Sequence, residues 1–306
     1  MLEIKNYLVN DNPSPARLAS ESVAGRLPPL SLRGGVPPLN IRGGEGELLL
    51  AEIEQTIKSE LVNKVAHSRG LYFLRGRQAL VDQRREKYRM SLLRFRKAKT
   101  HLRPLRFFPY LRAVALSGSQ ALLNVTADSD IDLLIITKKN RIWLARALVS
   151  LYFQVLGQRR HDQNIAGRFC LNHYVAEGRT LAEDRNLYTA LEYANLLPVL
   201  GAENLAKFWQ KNPWIKEYLP AAASEAAVPF FDPPPRRASF RFSRLQKIFE
   251  ISLDFTLGPI LNYTLGRYQK HRIRKQHYIL VSDDELSFHP GSRGQQVLES
   301  LKAKLS

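Results

Sequence analysis

The stretch Ser117 to Ile136 reads SGSQALLNVTADSDIDLLII and holds the residues best suited to chemistry. An apolar segment runs into Gly118 and Ser119, where the chain turns at once into a helical pattern. Glycine lets a backbone approach a ligand closely, free N–H groups at a helix start favour anions, and a serine hydroxyl adds a donor. Gly118 and Ser119 are therefore a candidate phosphate cradle. Asp130 and Asp132 flank Ile131, so at the strand period of two both carboxylates leave one face while Ile131 and Leu133 point the other way. Two carboxylates at the start of an otherwise apolar strand repel each other unless a cation lies between them. Mg²⁺, with Mn²⁺ as the alternative, accepts one or two protein carboxylates and completes its shell with phosphate oxygens and water. A phosphate loop beside a carboxylate pair is what metal-assisted nucleotidyl transfer requires: charge on a triphosphate is neutralised and the attacked phosphorus is positioned.

This pattern, Gly118-Ser119, ten intervening residues, then Asp130-Ile131-Asp132 before Leu-Leu-Ile-Ile, resembles the signature of the DNA polymerase beta-like nucleotidyltransferase superfamily. More narrowly, the stretch from Leu71 to Pro220 resembles a poorly characterised group of nucleotidyltransferase-domain proteins. The motifs concerned are YFLRGR, VALSGS, SDIDLLIIT, the helix start RIWLAR, FCLNHYV, DRNLYTALE and NPWIKEYLP, and the basic helix and the FHP tail (Phe288 to Pro290) are similar too. The resemblance implies an α+β nucleotidyltransferase fold, a small mixed sheet covered by helices and flanked by helical segments. It implies that Gly118 and Ser119 hold the β and γ phosphates of an NTP such as ATP, and that Asp130 and Asp132 bind Mg²⁺. The implied reaction transfers a nucleoside monophosphate to an acceptor and releases pyrophosphate. Active members of the superfamily usually place a third carboxylate on the next core strand, where it binds a second metal and serves as base. On FCLNHYV the matching parity falls at Asn172, whose amide can ligate weakly but cannot take a proton. Asp162, just before that strand, and Glu177, just after it, are the possible replacements, although either is more often an ordinary loop carboxylate.

The elements that must position these groups alternate. Arg112–Leu116 is a short apolar strand, Gln120–Leu123 a helical turn, Ile131–Thr137 a nearly all-apolar strand, Arg141–Leu156 an apolar helix ended by Gly157, and Phe169–Val175 a third strand. Strands apolar on both faces are sheet interior. Leu181–Leu200 and Ala202–Tyr218 read as two helices, the first breaking at Pro198. Around this domain, expected over 107–220, lie a Pro/Gly-rich tail (1–46), a basic helical and possible winged-helix-like segment (47–106), a Pro-rich linker (221–238) and a helical basic segment (239–306). In 47–106, Leu48, Leu49, Ile53, Ile57, Leu61 and Val65 recur at helical spacing, and Val81, Tyr88, Leu92, Phe95 and Leu102 mark one face of a second helix. Its Arg and Lys residues read as the solvated side. In 239–306, Phe240–Leu265 is helical with a kink expected at Gly258-Pro259, followed by the basic run Arg267–Lys275 and a last helix, Gln295–Leu305.

The chain has 306 residues and a formal charge of +18. Arg69 to Arg112 holds 14 Lys/Arg against two acids, and Arg236 to His277 ten against two, so the excess belongs to the flanks and the centre is near neutral. Those flanks make nucleic acid a candidate partner, with the NTP as substrate. A catalytically impaired nucleotidyltransferase fold that binds nucleic acid or senses nucleotides is the alternative function, motivated by Asn172 and the basic flanks. Membrane association through Phe240 to Lys275 is the less favoured reading, because Glu250 and Asp254 interrupt that helix. The single cysteine, Cys170, excludes a disulfide framework and any multi-thiolate metal site, and suits a reducing, cytoplasmic setting. No apolar run reaches the roughly 18 residues of a bilayer span, and no secretory signal is read at the start. His173 is expected to alternate away from Asn172 and to be a buried, satisfied histidine. His289 lies in a turn and suits a surface loop better than the alternative role of general base; Arg141 and Arg146 suit either triphosphate or the surface, and Arg185 suits an ion pair with Glu183 or Asp184.

Overall fold

The computed structural model describes residues 45–161, 164–181, 185–219, 240–273, 280–288 and 292–305; almost all of the expected tail and the whole expected linker lie outside them. The chain divides into two compact units, Met1–Gln83 with Ala303–Ser306, and Arg84–Lys302.

The first unit holds helix α1 (Glu45–Ser59), a hairpin of β1 (Val65–Ser68) and β2 (Leu71–Leu74), and the start of α2 (Ala79–Leu102). Val65, which shares the helical spacing of α1, belongs instead to the hairpin, paired with Leu74. The cause is the two-residue turn: Arg69 and Gly70 both take positive φ, 53° and 82°, the backbone that matches the twist of a tight hairpin.

The second unit runs from the rest of α2 through a 3-10 turn (Arg103–Phe107) into β3 (Leu111–Leu116), α3 (Gly118–Ala121), β4 (Ile131–Thr137), α4 (Ile142–Val155) and β5 (Phe169–Ala176). It continues with α5 (Leu187–Ala194), β6 (Leu197–Leu200), α6 (Ala202–Lys211), α7 (Trp214–Tyr218), α8 (Arg244–Phe255), α9 (Gly258–Ile273), β7 (Leu280–Val281), β8 (Glu285–Ser287) and α10 (Ser292–Leu305). Six strands form one mixed sheet in the order β6-β3-β4-β5-β8-β7. Only β4 and β5 are parallel; the other pairs are antiparallel. The architecture is α+β.

Both faces of the central strands are covered, as their apolar runs require. Ile131, Leu133 and Ile135 pack with Trp143, Val149 and Phe153 of α4 and with Phe95, Ala98 and Leu102 of α2. Leu134 and Ile136 pack on the opposite side with Ala190 and Ala194 of α5, Leu205 and Phe208 of α6 and Trp214 of α7. Asp132 shares the parity of this second set, so it leaves the sheet toward the α5 layer.

Three elements differ from the sequence pattern. Leu197–Leu200 is an edge strand rather than the end of a helix, and Pro198 is tolerated there because the pairing with β3 is irregular, its register shifting between Val114 and Ala115. Pro213 divides the long helix expected over 202–218 into α6 and α7. Gly258-Pro259 marks a full break between α8 and α9, with Thr256-Leu257 between them, rather than a kink. Among the described residues, no helix is long and apolar enough to cross a membrane.

Candidate functional site

Strand β3 ends at the turn that was expected to cradle phosphate. Ser117 is extended and its N–H donates to the Asp132 carbonyl at 3.0 Å, which fixes the turn to β4. Gly118 follows at φ +58°, and a Cβ placed there would lie 2.8 Å from Asp132 Oδ2. Both the left-handed backbone and the missing side chain are needed for the Asp132 carboxylate to sit directly against the turn. Ser119 is half-buried beside it, its carbonyl accepting the Asn124 N–H at 2.9 Å.

The loop between this turn and the two aspartates is held by the basic helix. Arg84, Tyr88, Ser91, Phe95, Ala98 and Leu102 form the buried stripe of α2, at alternating steps of four and three. Arg84 and Ser91 serve the loop. The Arg84 guanidinium donates to the Leu123 carbonyl, while the Ser91 carbonyl accepts from Gln120 Nε2 at 2.9 Å and its hydroxyl from the Val125 N–H at 3.3 Å. Further along, Arg94 donates to the carbonyls of Ala127 at 2.5 Å and Ser129 at 2.6 Å, and Lys97 to that of Gly167 at 2.9 Å. The expectation that the basic side of this helix is merely solvated fails at Arg84, Arg94 and Lys97, because loop carbonyls unpaired by secondary structure need donors.

Asp130 and Asp132 come together as the strand period requires. Since β4 and β5 are parallel, their starts are neighbours, and Cys170 pairs in register with Asp132. Ligand atoms of Asp130, Asp132 and Cys170 all lie within 4.8 Å of one another. The carboxylates suit a hard cation such as Mg²⁺ or Mn²⁺; a protonated thiol does not. Burial, with Asp132 and Asp130 beside it, pushes the Cys170 thiol up to about 12. Burial, then repulsion by Asp130 and Glu192, pushes the Asp132 carboxyl up to about 7, against the opposing pull of Arg160 and a hydrogen bond from Asn172. A divalent cation at this spot would relieve that repulsion, so the donor set fits one.

No family model, curated protein or solved structure matches the chain. The site therefore has to be judged on its own geometry.

Asn172 does sit at the carboxylates: its amide donates to Asp132 Oδ1 at 2.8 Å. Strict alternation fails beside it. From Asp132 to Leu134 two steps of β4 face three steps of β5, Cys170 to His173, so β5 carries a bulge. His173 is consequently in register with Leu134, on the α5 side, instead of alternating away. It is buried there, its ring 5.8 Å from that of Tyr193 and its Nε2 3.4 Å from Glu285 Oε1.

Of the two possible replacement acids, Asp162 lies outside the described residues. Glu177 is remote: its N–H bonds the Thr137 carbonyl at the far end of β4, about 16 Å along the strand from Asp132. Its carboxylate faces Arg112 Nε at 3.3 Å and the Lys139 N–H at 3.3 Å. Arg146 is committed to Gln269 and to the Phe288 ring, and Arg141 to Asp254, so neither reaches the carboxylate pair. Arg185 donates to the Leu181 carbonyl at 2.9 Å; Glu183, Asp184 and His289 lie outside the described residues.

Two functional candidates emerge only from the structure. Arg160 Nη1 lies 2.5 Å from Asp130 Oδ2 and 3.5 Å from Cys170 Sγ, the cation already present at the site. Glu192 of α5 is a further carboxylate whose charge is felt at Asp132. The basic residues around Arg160 are a signal visible in the sequence; Glu192 ends the quoted stretch DRNLYTALE, but nothing in that stretch places it near Asp132.

Proposed function

We propose that this chain is a Mg²⁺-dependent nucleotidyltransferase that moves a nucleoside monophosphate from an NTP to an acceptor and releases pyrophosphate. The observation that carries this reading is the Asp132 carboxylate: it lies against the Gly118 backbone and beside Asp130, and its proton affinity is raised because burial and two other carboxylates outweigh the nearby guanidinium. Asp130 and Asp132 would hold the metal, which supplies charge neutralisation on the triphosphate. The Gly118-Ser119 turn binds the β and γ phosphates through backbone N–H groups and the Ser119 hydroxyl. Arg160, exposed beside Asp130, is placed to pair with phosphate oxygens. An acceptor heteroatom attacks the α phosphorus, the bond to the bridging oxygen breaks, and pyrophosphate leaves with that electron pair. Asn172 cannot take the acceptor's proton; Glu192, a carboxylate on the same side of the sheet, is the group we assign to it. The setting is a reducing compartment, the cytoplasm.

Calorimetry with Mg²⁺ and each NTP tests the reading. Metal-dependent binding that vanishes in Asp130→Ala and Asp132→Ala supports it, and absence of any Mg²⁺-dependent NTP binding by folded protein overturns it. The second reading, a nucleotide-binding module without transfer, is favoured by one observation, the Asn172 amide donating to Asp132 where a third acid would help the reaction. Binding without pyrophosphate release, over a panel of RNA, DNA, protein and small-molecule acceptors, would select it.

A further inference from the structure

Helices α8 and α9 dock onto the rest of their unit through a row of polar side chains together with Leu253, Leu265 and Ile273, which pack against the core. On α8 the inward stripe is Gln246, Glu250 and Asp254. Gln246 Nε2 donates to the Leu111 carbonyl at 2.8 Å, Glu250 accepts from Arg112 at 2.8 Å and from the Tyr110 N–H at 2.6 Å, and Asp254 pairs with Lys138 at 2.6 Å and Arg141 at 2.9 Å. On α9 the inward groups are Asn262, which accepts from the Leu144 N–H at 3.1 Å, and Gln269, which donates to the Trp143 carbonyl at 3.0 Å. Gly266 lets the helix close onto the Trp143 ring, since a Cβ there would lie 2.9 Å from Cδ1.

Since polar groups fill much of the inward side, most of the apolar residues face out. Ile248, Phe249, Ile251, Phe255, Leu257 and Ile260 are all more than half exposed, Phe255 at 87 %. An ordinary amphipathic helix has the reverse arrangement. Exposed apolar surface on this scale marks an interaction site.

The charges identify the occupant. Between Phe240 and Ile273 the only acids are Glu250 and Asp254, and both are engaged inward. Arg244, Lys247, Arg267 and Arg272 are exposed on the same two helices, and Arg241 just before them. Glu250 and Asp254, the acids expected to disfavour a membrane, are thus absent from the outward surface. A second copy on a two-fold axis would set these cations against one another, and a nucleic acid offers no apolar phase for Ile248, Ile251 and Leu257. We propose that the outward face of α8 and α9 lies in the surface of an anionic phospholipid bilayer, apolar residues among the acyl chains and cations among the headgroups. The helices, of 12 and 16 residues, lie along the surface rather than across it. This holds whether or not the carboxylate site transfers nucleotides.

The test uses the full chain and vesicles of phosphatidylcholine with and without phosphatidylserine. Co-sedimentation is expected with the anionic vesicles, and to weaken by about tenfold or more in Phe255→Asp, which keeps the native circular dichroism. Phe255→Trp is expected to shift its emission to the blue on anionic vesicles and to be quenched by brominated acyl chains. No sedimentation with anionic vesicles overturns the proposal. Equal binding by Phe255→Asp, or emission from Phe255→Trp that brominated chains leave unquenched, assigns the binding to another surface and overturns it as well. Loss of self-association or of RNA or DNA binding in Phe255→Asp, without vesicle binding by the parent, makes the face an interface of that other kind and equally overturns the proposal.

Discussion

Glu250 and Asp254 on α8, and Asp130 and Asp132 at the start of β4, are all turned into the second unit, and their surroundings differ in sign. Under α8 each acid meets a basic partner: Arg112 for Glu250, Lys138 and Arg141 for Asp254. Burial alone would raise Asp254, yet hydrogen bonds from Lys138, Arg141 and Tyr110 hold its carboxyl below the usual range. At the start of β4 the balance is reversed. Two carboxylates share the guanidinium of Arg160, with Glu192 adding further negative charge, and the Asp132 carboxyl rises to about 7. The first arrangement is a finished electrostatic seam. The second crowds negative charge beside a glycine turn, which costs stability and is what the proposed cation would relieve.

The largest effect is expected where the seam is broken. Glu250→Ala removes one of the two carboxylate partners of the half-buried Arg112 guanidinium, leaving Glu177, and removes the acceptor of the Tyr110 N–H; Tyr110 is held at φ 67°, a strained backbone for an aromatic residue. Leaving the Tyr110 N–H without its acceptor and Arg112 with Glu177 alone costs about 3 kcal/mol, read as a fall in the urea midpoint at constant slope. Glu250→Gln keeps one acceptor and should lose less than half as much. A midpoint unchanged in both variants would mean that α8 is held by something other than this seam.

At the carboxylate site the sign is opposite. In the folded protein Asp132 keeps its proton up to about pH 7, whereas in the unfolded chain it gives it up near its ordinary 3.8. Between those values the native state binds more protons than the unfolded one, so stability falls as pH rises and the full penalty is present above pH 7. The whole shift corresponds to at most about 4 kcal/mol, and solvent screening of the partly exposed group brings it to about 2. Asp132→Asn in metal-free protein is therefore expected to be more stable than the parent at pH 8 by about 2 kcal/mol and equal to it near pH 4, with the Asn172 hydrogen bond still possible. Mg²⁺ should raise the melting temperature of the parent and leave the variant unmoved. A less stable Asp132→Asn at pH 8 would place a cation partner at Asp132 already.

Local chemistry made one half of this contrast legible. Gly118, Asp130 and Asp132 follow from a turn and a period of two, and both survive in the fold because β4 is a regular strand. Asn172 was reached by the same period, but the side of His173 was not, because the bulge in β5 exists only through its pairing with β4. Pro198 suggested a broken helix, since nothing in the local pattern says that the segment becomes a sheet edge. The polarity of α8 was least legible. Its apolar residues and its acids occupy different sides, and which side turns inward is decided by Arg112, Lys138 and Arg141, more than a hundred positions earlier in the chain. The same blindness affected α2, where Arg84 and Arg94 find loop carbonyls that sequence spacing does not reveal.

The smallest expected effect sharpens the contrast most, because it separates α8 from the helices that pack on the sheet through apolar side chains. Phe153 on α4 is fully buried, its ring 4.6 Å from Phe169, whereas Phe255 on α8 is 87 % exposed. Truncating a core phenylalanine removes its transfer energy and leaves a cavity, so Phe153→Ala should cost about 3–5 kcal/mol. Phe255→Ala has neither term to lose, and its stability in solution is expected to stay within about 0.5 kcal/mol of the parent. If α8 were an ordinary amphipathic helix, the two substitutions would cost similar amounts. Near-neutrality at Phe255 together with a large loss in Glu250→Ala is what a helix anchored in large part by its acids, with its apolar side uncovered by the rest of the chain, predicts. A loss above about 2 kcal/mol for Phe255→Ala would show instead that another part of the same chain covers it.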